Sequence, residues 1–192
     1  MFETFLSNLV IEDRETISYR YGRITSAVNQ KFRDTDSKTA NTLQVGSYGR
    51  STGIKGLSDL DMIYIMPSSL WERYKGNGQR RALEHVKSAI DGTYPTTQSQ
   101  VDRLVVVVSF ENYKIEVQPC FEQEDGSFLY PDTYRGEWLN TNPKAEMKAL
   151  ADQNDQKNGN LRELCKMSRA WRNKHGQQMG GLLIDTLAFQ FF

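Results

Sequence analysis

Apolar positions recur along this chain with two different periods. Between residues 12 and 35, Ile17, Tyr21, Ile24, Val28 and Phe32 fall three and four apart, which predicts the buried face of a long helix. The polar stretch TDSKTAN ends it. Leu43-Gln44-Val45 then reads as a short strand entering the glycine- and hydroxyl-rich turn Gly46-Ser47-Tyr48-Gly49-Arg50-Ser51-Thr52. Residues 59–66, DLDMIYIM, read as a strand that stops at Pro67. From about Gln79 to Ile90, the positions Leu83, Val86, Ala89 and Ile90 predict a second helix, with Asp91-Gly92 as its stop.

After a loop, TYPTTQSQ, the continuous β-branched run Arg103–Phe110 (RLVVVVSF) predicts a buried strand. Asn112 turns the chain, and Tyr113–Gln118 (YKIEVQ) follows as the hairpin partner, closed by Pro119. Asn142-Pro143 is an N-cap with proline at the first helical position, opening a helix through about Asp152. QNDQKNGN reads as a polar linker. A helix from Leu161 to about His175 stops at Gly176, and another begins near Gly181. The expected organisation is an α/β portion over 1–140 and an all-helical portion over 141–192. The last helix, LLIDTLAFQFF, runs off the end with neither a stop signal nor a partner element, so the expectation is a fragment of a longer chain.

Composition narrows the function classes. The 192 residues hold 24 Lys+Arg against 24 Asp+Glu, and this balance argues against coating long nucleic acid or an anionic membrane. It leaves room for a local phosphate site. Two cysteines, Cys120 and Cys165, are too few for a disulfide scaffold and lack zinc spacing. No signal peptide and no membrane-length apolar run is visible, so a cytoplasmic protein is expected.

The chemistry concentrates in Gly46-Ser47, eleven intervening residues, and Asp59-Leu60-Asp61. Residues two apart on a strand share a face, so Asp59 and Asp61 present two carboxylates side by side. Such a pair repels unless protonated or metal-bound, and Mg2+ is the natural partner for clustered oxygens beside a phosphate. Glu116, facing opposite to Ile115 and Val117, is the candidate third carboxylate of a two-metal site. Gly46-Ser47, at a strand-to-turn junction, offers backbone N–H groups and a hydroxyl to an anion. Between Lys157 and Lys174 there are six Lys/Arg and one Glu, and Arg162, Lys166 and Arg169 share a face opposite Leu161, Leu164, Met167 and Trp171. This basic stripe suits a nucleoside triphosphate. The remaining polar candidates have plainer readings: His85 a surface histidine, His175 a helix-end residue, Cys120, Cys165 and Trp171 packing residues.

LQVGSYGRSTGIKGLSDLDMIYIMP resembles the signature of the polymerase-β-like nucleotidyltransferases, and within them the bacterial cyclic-oligonucleotide synthases related to cyclic GMP-AMP synthase and oligoadenylate synthase. KIEVQPCFEQEDGSFLYPD is similar to the family's third-carboxylate strand, and LRELCKMSRAWRNKHGQQMGGLLIDTLAFQFF to the start of its helical lobe. The resemblance implies a mixed sheet with flanking helices plus a helical lobe cut short. It implies that Gly46, Ser47 and Arg50 bind the donor nucleotide with Lys166 and Arg169, and that Asp59, Asp61 and Glu116 hold two Mg2+ ions, with Mn2+ as an alternative. Asp is commoner at the Glu116 position, and lysine at that of Arg169. The implied activity is synthesis of a cyclic di- or trinucleotide messenger from ATP and from GTP, UTP or CTP, with release of pyrophosphate, in antiphage (CBASS) signalling. Regulatory proteins encoded alongside are the implied partners. Two alternatives stay open: a same-fold enzyme that modifies a protein, an antibiotic or an RNA end, and a non-catalytic nucleotide binder.

Overall fold

A computed structural model describes residues 2–56 and 58–192. A short helix α1 (Phe2–Ser7) precedes the long helix α2 (Arg14–Arg33). Strand β1 (Thr42–Gln44), the single-turn helix α3 (Gly46–Gly49) and strand β2 (Asp59–Ile65) follow. After a 3-10 turn (Ser68–Leu70) come α4 (Trp71–Tyr74) and α5 (Gln79–Thr93), then β3 (Ser99–Val101), β4 (Val106–Ser109) and β5 (Lys114–Glu122). A hairpin of β6 (Phe128–Asp132) and β7 (Glu137–Thr141) leads into α6 (Pro143–Gln156), α7 (Asn160–Lys174) and α8 (Gly181–Phe191).

The sheet runs β1-β2-β5-β4-β3, with β6 joined to the far end of β5 and β7 to β6. β2 and β5 are parallel; the other described pairs are antiparallel. The strand period of two then sorts the residues. Leu60, Met62, Tyr64, Val106, Val108, Ile115 and Val117 pack on one side with Ile24 and Val28 of α2 and Leu83, Val86 and Ile90 of α5. The other side carries Asp59, Asp61 and Glu116, continuing into a small apolar cluster of Ile63, Cys120 and Phe128. The dry face fixes the strands, and α7 and α8 reach the opposite face at its α3 end.

The register of helix and strand periods is as expected over α2, β1, β2, α6 and α8, whereas α7 lies where expected but buries a different face. Asn142 caps α6 as its position implies, its side chain accepting from the Ala145 amide at 3.0 Å. Several boundaries differ. α5 passes through Asp91-Gly92 to Thr93, because the lone glycine is not enough to break a turn already held by Tyr94 N–H to the Ile90 carbonyl. The expected loop TYPTTQSQ ends in a paired strand, β3, while Arg103–Val105 form the turn of the β3–β4 hairpin. β5 continues through Pro119 to Glu122, and the β6–β7 hairpin has no counterpart in the expectation. The polar linker shrinks to 157–159, since α6 extends to Gln156 and the Asn154 side chain accepts from the Arg162 amide, capping α7 from outside. Trp171 is 54% exposed rather than core, and Arg169 takes the buried position beside Leu161 and Cys165. His85 is half-buried against the Tyr74 hydroxyl, 2.7 Å away, which removes it from the free surface.

Candidate active site

The parallel pairing of β2 with β5 sets Asp61 directly across from Glu116, with Asp59 two residues earlier on the same face. Leu60, between the aspartates, and Ile115 and Val117, beside Glu116, point the other way into the core, so the carboxylates look into a cleft. That cleft, about 740 Å³, is lined by Gly46, Ser47, Arg50, Ser58, Asp59, Asp61, Glu116, Glu146, Arg169 and Arg172 among others. The structure therefore brings together seven of the eight residues singled out from the sequence. Lys166 is the exception. It turns into a separate groove bounded by Arg14, Tyr21 and Lys38 on the α2 side, because α7 spends its inward face on Leu161, Cys165 and Arg169.

The electrostatics follow from crowding. Burial raises the Asp61 carboxyl above its ordinary value, and Asp59 adds to the rise while Arg50 opposes it. Burial also raises Glu116, followed by the charges of Asp61 and Asp59. Each carboxylate thus feels the others through a cleft of reduced dielectric. Among the described residues no three Asp, Glu, His or Cys side chains already close around one point. Ser58 Oγ donates to Asp59 at 2.7 Å and holds its orientation.

Position 46 explains why glycine stands there. Its backbone is left-handed, with φ of 62°, and a Cβ built on it would run into the Asp61 carboxylate. The turn is locked to the strand by the Val45 amide donating to the Asp61 carbonyl at 3.0 Å. Thr52 and Gly53 amides both donate to the Ser47 carbonyl at 2.9 Å, so the loop folds back on itself. The opening amides of α3 have no carbonyl to bond within their own helix and stand beside the carboxylates.

Some cleft residues were not singled out from sequence. Arg172 lies three after Arg169 on the same basic stripe, a spacing that could have found it; its Nη1 donates to the Met179 carbonyl at 3.0 Å. Glu146 and Gln118 carried no such signal.

Residues 1–154 match the Second Messenger Oligonucleotide or Dinucleotide Synthetase domain family. The chain belongs to that family. A curated member-like relative, the cyclic AMP-AMP-AMP synthase of Acinetobacter sp. (strain ATCC 27244 / 9458), is 28% identical over 144 residues, 70% of this chain and 40% of the relative. The chain thus spans less than half the length of that protein. Solved structures share the fold at low identity. E. coli MS115-1 CdnC with ATP superposes with TM-score 0.65 at 13% identity, covering 93% of this chain and 57% of that one. The c-di-GMP synthase CdnE of Capnocytophaga granulosa gives 0.68 at 10%, covering 91% and 59%. The Vibrio cholerae cyclic AMP-GMP synthase DncV gives 0.62 at 13%, covering 88% and 64%. CdnC has also been solved in complex with HORMA. The mixed sheet with flanking helices in this chain is the polymerase-β-like nucleotidyltransferase arrangement that these synthase structures share.

Proposed function

We propose that this chain carries the donor-nucleotide and metal site of a nucleotidyltransferase that joins nucleoside triphosphates into a cyclic di- or trinucleotide messenger, with pyrophosphate leaving. The observation that supports this reading most is the register of Asp61 against Glu116, beside Asp59 and facing Gly46-Ser47 across one cleft. The messenger role rests on the family, and antiphage signalling on the resemblance quoted from the sequence.

The donor set suits a hard dication: three carboxylates, no sulfur or imidazole, in a site whose crowding raises two of them. Asp59, Asp61 and Glu116 would hold Mg2+, one or two ions, with Mn2+ as a substitute. Magnesium held there would supply charge to lower the pKa of an acceptor ribose hydroxyl and to stabilise the departing pyrophosphate. The chain's own residues do the positioning. Gly46 lets the backbone come close to the phosphates, Ser47 offers a hydroxyl, and Arg50 and Arg169 add positive charge from the opposite wall. ATP is the substrate favoured by the likeness to a cyclic AMP-AMP-AMP synthase, and a HORMA-type regulator is the partner favoured by the likeness to CdnC.

Incubation with each α-labelled nucleoside triphosphate and Mg2+, followed by phosphatase, tests the reading. The expected result is a small phosphatase-resistant product. Asp59→Asn with Asp61→Asn should lower it at least about a thousandfold, as loss of metal and charge stabilisation does elsewhere. Label on macromolecule instead of a small product would move the acceptor to protein or RNA; retained turnover in the double variant would refute the metal assignment.

A further inference from the structure

Asp185 lies in the otherwise apolar run of α8, and nothing in the chemistry above uses it. It is 2% exposed. Its carboxylate accepts from Arg50 Nε at 2.8 Å, from Thr52 Oγ1 at 3.0 Å, from Arg169 Nη2 at 3.0 Å and from Arg169 Nη1. Arg169 Nη2 also donates to the Gly181 carbonyl at 3.0 Å, and Arg162 Nε to the Arg50 carbonyl at 3.3 Å. One side chain thus gathers α8, α7 and the turn that follows Ser47.

A buried carboxylate without partners would be strongly disfavoured, so its pairing is what makes it tolerable. The charges in the cluster do not cancel. Two guanidiniums meet one buried carboxylate, and the further acid near Arg50, Glu146 at 4.0 Å, is itself well exposed. Within the buried part of the cluster one positive charge is left over, and Arg50 and Arg169 both line the space beside Gly46 and Ser47, with the exposed Glu146 on the same cleft. The fork geometry matters as well. Asp185 occupies both Nη groups of Arg169 and the Nε of Arg50; Arg50 Nη1 lies 4.0 Å from Glu146, and this leaves the Nε edge of Arg169 and the Nη2 of Arg50 for another anion.

We propose that Asp185 is a positioning residue: it fixes the rotation of Arg50 and Arg169 so that each keeps one donor edge for the donor's β- and γ-phosphates. Asp185 touches no substrate and acts through the two arginines. The inference rests on the nucleotide reading of the cleft and deepens it.

Calorimetric titration with MgATP and with AMP separates the possibilities. Asp185→Asn keeps the shape and loses the charge. It should weaken MgATP binding about tenfold or more, the size of a lost charged hydrogen bond, and leave AMP binding unchanged. Asp185→Glu should recover part of the loss. With Arg169→Gln added, the combined loss should stay near that of the larger single change, since both remove one arrangement. Equal weakening of MgATP and AMP, additive losses, or unchanged MgATP binding would each overturn the proposal. If Asp185→Asn fails to fold, Thr52→Val removes one bond and no charge; a smaller loss confined to MgATP supports the proposal, and any other result overturns it. Wild type that fails to distinguish MgATP from AMP would instead bring down the nucleotide reading, a result distinct from one in which wild type and Asp185→Asn discriminate equally.

Discussion

Asp61 illustrates how a candidate site carboxylate can work against the fold that holds it. Burial and the neighbouring Asp59 raise its carboxyl, so the folded chain gives up that proton at higher pH than the unfolded chain does. Between the two pKa values the unfolded state releases its proton first, and stability falls as pH rises through the folded value. Below the ordinary carboxylate range, about pH 4, the penalty is absent. In chelator-treated protein, Asp61→Asn should therefore unfold at a higher temperature than wild type at pH 7, and the gain should vanish as pH drops toward 4. A thermal melt series across pH checks both the sign and the window. Asp185 is the opposite case: burial alone would raise it, but Arg169 and Arg50 together outweigh burial and hold it below the ordinary value. At this scale the carboxylates of the site were legible, because period-two alternation alone puts Asp59 with Asp61 and isolates Glu116. Asp185 was not, since its partners lie 16 and 135 residues away and only tertiary structure joins them.

At the scale of elements, local signals were read well where they satisfy backbone groups at a named end. Asn142 before Pro143 is such a signal, and its side chain does bond the Ala145 amide. Asn142→Ala should cost about 1 kcal/mol, readable in urea unfolding as a lower midpoint with an unchanged slope. The β6–β7 hairpin was not legible because Pro119 reads as the end of a strand, whereas β5 carries it and runs on to Glu122. Asp125-Gly126, with Gly126 at φ of 79°, was the available turn signal for the return into β6. The basic stripe of α7 was correct in spacing but not in direction. A helix face is chosen by what it buries, and here Cys165 and Leu161 draw Arg169 inward while Lys166 is carried to the far side.

For the molecule as a whole, the cleft joins groups from β2, β5, α3, α6, α7 and α8, so a ligand held there would link binding to folding. MgATP at a hundred times its dissociation constant should stabilise the fold by about 2.7 kcal/mol, seen as a rise in melting temperature. The rise should be absent in Asp59→Asn with Asp61→Asn. The fold class was legible from the alternation of helix and strand periods, yet the parallel pairing of β2 with β5 was not, because the strand beside β2 arrives only after a long crossover containing α5 and two other strands.

That crossover also sets an order of events during synthesis. Met62 and Tyr64 of β2 emerge from the ribosome with only β1 to pair, and the partners Val117 and Pro119 follow roughly fifty residues later. At about 5–20 residues per second, an apolar strand edge waits some ~3–10 s for its neighbour. The two aspartates at its head are charged and poor company for another strand, so Asp59→Asn with Asp61→Asn is expected to raise aggregation during refolding, which light scattering would read.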